Sequence, residues 1–221
     1  MLATDNAIRA RRAVRGFLSR PVPDETLRAV FELAQWAPSN CNTQPWQVHV
    51  VSGAVCEMLR ERLSQAALDP QAFDADFPYD GKYAGAYRAR QVDAALRLYG
   101  AMNIARHDKA GRAASFLRNY AFFGAPHVAF VFLPEPFGLR EAGDCGMFAQ
   151  TLMLAMTAHG IASCPQTALS LHAPLVRETL QVPASNKLLF GISFGYEDPA
   201  EPANECRTQR VPLEQSVQFH G

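Results

Sequence analysis

The apolar positions of this 221-residue chain change period several times, and each change marks an element. Residues 3–10 fit a short helix, and 11–17 leave it. Residues 23–37 form a clearer one. Leu27, Val30, Phe31 and Ala34 share a face at helical spacing, Pro23 suits the first turn, and Asp24 and Glu25 favour the positive end. Pro38 stops it. Residues 46–51 read as a strand, and 54–67 as a helix with Val55, Met58, Leu59 and Leu63 on one side. Residues 68–90 carry Pro, Tyr, Asp and Gly without periodicity and make the longest irregular stretch, of a length that often serves as a lid or binding segment. A helix is expected over 91–105, a short apolar strand over 127–133, a helix over about 174–181 and a strand over 187–194.

Two segments break the amphipathic pattern. In residues 145–158, Met147, Phe148, Leu152, Met153, Leu154, Ala155 and Met156 leave almost no polar face. A helix apolar all round is buried. In a chain this small the expected cover includes a second subunit; the alternative is the central helix of a monomer. Residues 198–221 are polar and proline-containing, then apolar again at Val217 and Phe219, which suits an arm with a terminal strand. No repeat, low-complexity run or internal linker appears. The pattern therefore predicts one domain over 1–221, with 198–221 as a C-terminal arm, in an α+β fold richer in helix than in sheet.

Composition narrows the function. Hydrophobic residues make up 48% of the chain, enough for a sizeable core, while 21 basic and 21 acidic residues cancel. That balance lacks the basic footprint of a nucleic-acid binder. No run of about eighteen apolar residues suggests a membrane span. The N-terminus lacks the charged and apolar regions of a signal peptide. Five cysteines without CxxC spacing argue against a zinc cluster or disulfide framework, so no metal is expected and a reducing cytoplasm is. Each cysteine reads as a small core or loop residue. There is no catalytic-triad motif, HExxH, Walker loop or GxGxxG.

What remains is a set of polar clusters. Between the helix ending near residue 37 and the strand at 46 lies Ala37-Pro-Ser-Asn-Cys-Asn-Thr-Gln-Pro-Trp46. Ser39, Asn40, Asn42 and Thr43 offer donors and acceptors suited to the rim of a flat, amide-edged heterocycle such as a flavin. Such clusters are also ordinary turn chemistry. If 11–17 is extended, Arg11 and Arg15 flank the small Ala13 on one side, a cleft for an anion or polarised carbonyl. A solvated basic helix face is the plainer reading. Residues 204–210 again set arginines beside a hydroxyl and an amide, or form a surface tail. Residues 164–168, Cys-Pro-Gln-Thr-Ala, place backbone N–H groups before a helix, or form a plain loop.

Taken together, the chain resembles the nitroreductase family of FMN-dependent enzymes. The likeness rests on Arg11-Arg12-Ala13-Val14-Arg15-Gly-Phe17, on the 37–46 decapeptide, and on 191–198 followed by Arg207-Thr-Gln-Arg210. Residues 122–126, Phe-Phe-Gly-Ala-Pro, and 143–146, Gly-Asp-Cys-Gly, resemble a subgroup near nitrobenzoate reductases.

The resemblance implies an intertwined homodimer, a central, mostly antiparallel sheet surrounded by helices, and FMN sites at the dimer interface. It implies cofactor contacts from Arg11, Arg12, Ala13 and Arg15, with Arg11 on the phosphate and Arg15 near the N1–C2 carbonyl edge, where positive charge favours the reduced flavin. Ala13 departs from the usual serine and removes a hydroxyl contact. Pro38, Ser39 and Asn40 line the cofactor from the partner subunit, and Asn42 and Gln44 either join them or hold the loop. Pro165, Gln166 and Thr167 supply the N5–O4 edge, and Arg207 and Arg210 complete the phosphate site. Phe122 and Phe123 are candidates for the substrate pocket. Residues 68–90 offer no clean counterpart of the family's middle-loop contacts.

The implied chemistry is ping-pong reduction of nitroaromatics, quinones or similar small acceptors by NADH or NADPH. Flavin N5 carries the hydride, so no protein side chain is catalytic. Alternatives on the same fold are reductive dehalogenation, enone reduction, flavin destruction, or non-catalytic flavin binding.

Overall fold

The computed structural model describes residues 3–69, 71, 73–77 and 81–221. Seven α-helices and four strands follow in chain order among them: α1 Thr4–Ala10, α2 Asp24–Ala34, β1 Gln47–Ser52, α3 Gly53–Ala66, α4 Gly85–Ala101, α5 Lys109–Leu117, β2 His127–Pro134, α6 Leu139–Ala158, β3 Ala162–Gln166, α7 Ala173–Leu180 and β4 Asn186–Gly195. The strands form one antiparallel sheet in the order β1-β2-β4-β3. The fold class is α+β.

The centre of the sheet follows from the alternation in β2. Val128, Phe130 and Phe132 enter one apolar cluster with Leu59, Leu63, Leu169, Val176 and Leu188, on the α3 and α7 side. Ala129, Val131 and Leu133 enter a second with Val30, Ala34, Phe148, Leu152 and Met156, on the α2 and α6 side. A strand covered on both faces is apolar along its length, which is why 128–133 reads as an unbroken hydrophobic run after His127. Trp46 closes the second cluster by stacking on Phe148, with ring centroids 4.9 Å apart, and its indole N–H donates to Gln35 Oε1 at 3.2 Å.

Several elements differ from the sequence pattern. Strand β3 occupies a segment expected as a loop: it lacks β-branched residues and contains Pro165, tolerated because the strand is at the sheet edge. Helix α4 begins at Gly85, inside the stretch expected to be irregular, and ends at Ala101. It has no buried residue, so no single apolar face announces it. The nine-residue α5, capped by Asp108 accepting from Gly111 N–H at 2.8 Å, is too short to show a period. In α3 the buried face is Cys56, Leu59 and Leu63, while Val55 and Met58 point outward. Helix α2 stops at Ala34, three residues early, and α6 starts at Leu139, six residues early.

Two expectations about loops also change. No strand follows β4 among the described residues; the tail makes short 3-10 turns at Pro202–Glu205 and Leu213–Gln215, and Val217 and Phe219 are exposed. Residues 73–77 are lashed to the body: Asp76 pairs with Arg177 and accepts Leu188 N–H at 2.7 Å, and Asp74 N–H donates to Leu171 O at 2.7 Å. Positions 70, 72 and 78–80 of the same stretch lie outside the described residues.

One buried polar contact ties the N-terminal connection to the sheet. His127 Nε2 accepts Val22 N–H at 2.9 Å, so its proton is on Nδ1, which donates to Ser52 Oγ at 2.5 Å. The ring stacks on Phe194. Burial holds the His127 pKa below its ordinary value, with Asp24 opposing weakly, so the folded state keeps the ring neutral. The unfolded chain protonates it below about pH 6.5. This contribution is therefore fully present above about pH 6.5 and is lost as pH falls toward the lower folded-state value. The stability gap between wild type and His127→Gln should be widest above neutrality and shrink toward pH 5. Urea midpoints that run parallel across this range would contradict the assignment.

Candidate functional site

Helix α1 ends at Ala10, and Arg11 turns the chain out of it with φ −57° and ψ 123°. Residues 11–17 then run extended along the edge of the sheet. Ala13 bridges Ser163 of β3 in parallel, with Val14 N–H donating to Ser163 O at 3.0 Å. Phe17 bridges Glu197 in antiparallel sense, with Leu18 N–H on Tyr196 O at 2.9 Å. Val14 and Gly16 are buried and alternate with half-exposed Arg11, Ala13 and Arg15, as an extended segment requires, while Phe17 at the segment's end breaks the alternation and is buried as well.

The tail fixes this segment from the other side. Buried Asn204 uses its whole amide: Oδ1 accepts Arg15 N–H at 2.7 Å, and Nδ2 donates to Gly16 O and Asp198 O, both at 2.9 Å. Arg118 forks onto Glu201 at 3.1 and 2.6 Å and donates to Arg15 O at 2.8 Å. A Cβ on Gly16 would lie 2.1 Å from Glu201 Cγ, so only glycine lets the two strands of chain approach this closely. Arg118 and Glu201 carry no mark in the sequence, and Asn204 belongs to the 204–210 cluster without any sign there that it is buried. Nothing in a polar tail distinguishes a buried asparagine from a solvated one.

Where the two chain ends meet, a cavity of about 1180 Å³ opens. Arg9, Arg11, Arg12, Arg15, Arg207 and Arg210 line it, against one carboxylate, Glu197, which pairs with Arg12. Arg207 rests on the carbonyls of Asn204 (2.5 Å) and Cys206 (3.1 Å), and Arg210 on Thr208 Oγ1 at 3.2 Å and Gln209 O at 3.2 Å. The Arg11 backbone N–H donates to Ala7 O at 2.9 Å, while its guanidinium has no hydrogen-bond partner among the described residues. Burial and then the nearby Arg210 hold its pKa below the usual arginine value, with Cys164 opposing. Guanidinium groups gathered without enough carboxylates make an anion site. Burial pushes the Cys164 thiol up to about 11 although Arg15 and Arg11 pull it down, so it stays protonated at neutral pH.

Ala13 and Pro165 also line this cavity. It thus gathers Arg11, Arg12, Ala13, Arg15, Pro165, Arg207 and Arg210 from three separate stretches of sequence. Thr167 is exposed outside it. Gln166 is turned inward: its amide nitrogen donates to Asn119 O at 2.9 Å and Asn119 Oδ1 at 3.2 Å, and its Oε1 accepts from the Ser193 hydroxyl. Phe122 and Phe123 sit in the α3-side core, where Phe122 meets Phe130 edge to face, so neither faces the cavity.

The decapeptide forms a separate surface. Pro38, Asn40, Asn42 and Gln44 are exposed and Ser39 is half-buried; none of the five lines the arginine cavity. Asn40–Asn42 make a 3-10 turn in which Cys41 and Asn42, followed by Gln44, take positive φ of 50°, 56° and 47°. Gln44 N–H donates to Ser39 Oγ at 3.0 Å, and Asn40 N–H to Asp144 Oδ2 at 3.0 Å. The chain therefore carries an arginine surface and an amide surface that do not meet.

The chain matches the nitroreductase family over residues 8–196. It belongs to that family. Nitroreductase NfnB of Mycolicibacterium smegmatis is 49% identical over 98% of this chain and 92% of its own length. A 4-nitrobenzoate reductase of Pseudomonas putida is 36% identical over 98% of this chain and 95% of its own. Among solved structures, the FMN-dependent nitroreductase NfnB from Mycobacterium smegmatis in complex with NADPH superposes with a TM-score of 0.94 at 49% identity, covering 98% of this chain and 97% of that one. The FMN- and NADPH-dependent NfnB from Sphigopyxis sp. strain HMH gives 0.95 at 34% identity over the full length of both. The nitroreductase α+β fold is thus this chain's fold throughout, including β3 and the arginine-bearing edge.

Proposed function

We propose that the protein is an FMN-dependent NAD(P)H oxidoreductase that reduces nitroaromatics and related small acceptors such as quinones. The arginine cavity carries this reading. A phosphate monoester brings about −1.5 to −2 charges, and Arg11 is a half-buried cation with no internal acceptor, beside Arg207 and Arg210. These three would hold the phosphate end. Arg15 would meet the carbonyl edge of the ring, and Ala13 leaves only backbone for the chain between. Pro165 and Thr167 would border the ring, with Gln166 supporting them from inside.

Bound FMN supplies the two-electron relay between nicotinamide and acceptor. The protein's own residues bind and orient, and no side chain need act as acid or base. The identities of the 49% and 36% relatives as a nitroreductase and a 4-nitrobenzoate reductase support an aromatic nitro acceptor.

The working unit in this proposal is a homodimer of single-domain chains, each with 198–221 as an arm. Leu139 is 92% exposed, Trp36 87% and Phe219 85%, and Gly143, Gly146, Met147 and Gln150 leave an open stripe along the otherwise apolar α6. Large apolar residues left bare in this way suit an interface. A second copy would bring its 38–44 loop to the arginine cavity that the first copy's own loop does not reach. Five free cysteines fit a reducing cytoplasm, and among the described residues no helix is long and apolar enough to cross a membrane.

The purified protein should take up FMN with sub-stoichiometric loss on gel filtration. It should lose its yellow colour on anaerobic mixing with NADPH or NADH, and regain it with a nitrobenzoate. Failure to bind FMN would overturn the flavin reading. Reduction by nicotinamide without reoxidation by any nitroarene or quinone would overturn the acceptor.

A further inference from the structure

We infer that Asp144 of α6 is the positioning residue of the 38–44 loop, holding it in the shape in which it borders the flavin. The inference rests on the flavin reading above. Two anomalies of the fold meet at one hydrogen bond.

The first is the loop's backbone. Cys41, Asn42 and Gln44, none of them glycine, all have φ near +50° within four positions. Left-handed conformations of this kind are unfavourable for residues with a Cβ, and they persist only where the surroundings over-determine them. The loop's own bonds are local: Asn42 N–H to Ser39 O, Thr43 N–H to Asn40 O, Gln44 N–H to Ser39 Oγ and Gln44 Nε2 to Asn42 O. Among the described residues, a single hydrogen bond connects residues 39–44 to the rest of the fold. It is Asn40 N–H to Asp144 Oδ2, at 3.0 Å.

The second anomaly is Asp144 itself. It is buried, in the second turn of a helix whose other buried side chains are apolar or a thiol, with Cys145 and Phe148 beside it. No Lys, Arg or His forms an ion pair with it among the described residues. A buried carboxylate without a counter-ion destabilises the fold unless it does something an apolar residue cannot. Here it accepts a charge-assisted hydrogen bond that registers a strained turn against the α6 scaffold. Asp144 is buried and does not line the arginine cavity. It acts through Asn40 by raising the fraction of chains whose loop is ready to bind, and a reduced ready fraction raises the apparent Kd in proportion.

The test uses the full chain and its Asp144→Asn, Asp144→Ser and Asp144→Ala variants. Asparagine keeps a carbonyl oxygen for the Asn40 amide. The serine hydroxyl is too short to reach it, and serine is the more soluble substitute should alanine fail to fold. For Ala and Ser we expect an FMN Kd raised about tenfold or more, an altered visible spectrum of the bound flavin, and amide exchange at Asn40 accelerated about tenfold. Asn should remain within about threefold of wild type on all three readouts. Wild-type Kd, spectrum and exchange in the Ala or Ser variant would overturn the assignment. So would equal impairment of Asn, Ser and Ala in step with lost thermal stability, since that would mark a purely structural residue. If wild type itself binds no FMN, the flavin reading fails, and exchange at Asn40 alone still decides whether Asp144 holds the loop.

Discussion

Replacing Arg11 by alanine should weaken FMN binding by roughly 10- to 150-fold, corresponding to about 1.5–3 kcal/mol for a lost charged hydrogen bond. Arg11 is the sharpest single probe of the cavity because its guanidinium has no internal partner to strand. Arg12→Ala, by contrast, would leave Glu197 unpaired. The cause of the expected loss is electrostatic: Arg11 is partly desolvated and feels the like charge of Arg210, and a bound dianion offsets both. The same logic makes inorganic phosphate a stabiliser of the apo-protein by mass action, and Arg11→Ala should blunt that rise in Tm. Quenching of FMN fluorescence gives the Kd directly. A variant within twofold of wild type would mean that the phosphate lies elsewhere.

The second large effect is expected at Asn204, far along the chain from the arginines it serves. Asn204→Ala removes three hydrogen bonds at once. Gly16 O keeps the Asp198 N–H at 3.0 Å. Asp198 O likewise keeps the Glu201 N–H at 3.3 Å. The Arg15 N–H is left without its Asn204 acceptor, which costs about 1–3 kcal/mol. For a domain of this size that corresponds to a Tm lower by roughly 2–12 °C. FMN affinity should fall with it, because Arg15 and Arg11 sit on the freed segment. Thermal unfolding followed by circular dichroism checks the first part. A melting temperature within about 2 °C of wild type would show that the neighbouring Arg118–Glu201 pair holds the corner unaided.

The contrast between these two residues explains what was legible in the sequence. Arg11, Ala13 and Arg15 could be read as one face because an extended segment repeats every two residues, and the structure gathers them on one cavity wall. Asn204 could not, because its significance lies in meeting Gly16 across nearly the whole chain. The same division holds for the fold. β2 and β4 announce themselves because burial on both faces demands continuous apolar sequence. β3 is silent because an edge strand tolerates Ser, Pro and Gln, and α4 is silent because it buries nothing. Gln166 shows the opposite failure. Its amide looked available for a ligand, yet it is spent on Asn119 and Ser193 inside the protein. The strain in 38–44 was equally hidden, since left-handed backbone carries no mark when the residues are Cys, Asn and Gln.

The parallel pairing of Ala13 with Ser163 has a consequence for solubility. β3 is the last strand on its side of the sheet, and residues 11–17 lie along its outer edge. An uncovered edge offers free N–H and C=O groups to any passing strand and is a template for aggregation. Here the shield is the arginine segment itself. Whatever loosens it, from an N-terminal truncation to the loss of its clamp, would unmask a sticky edge at the same moment that it dismantles the anion site. A preparation so damaged would be lost to precipitation before its missing activity could be assayed.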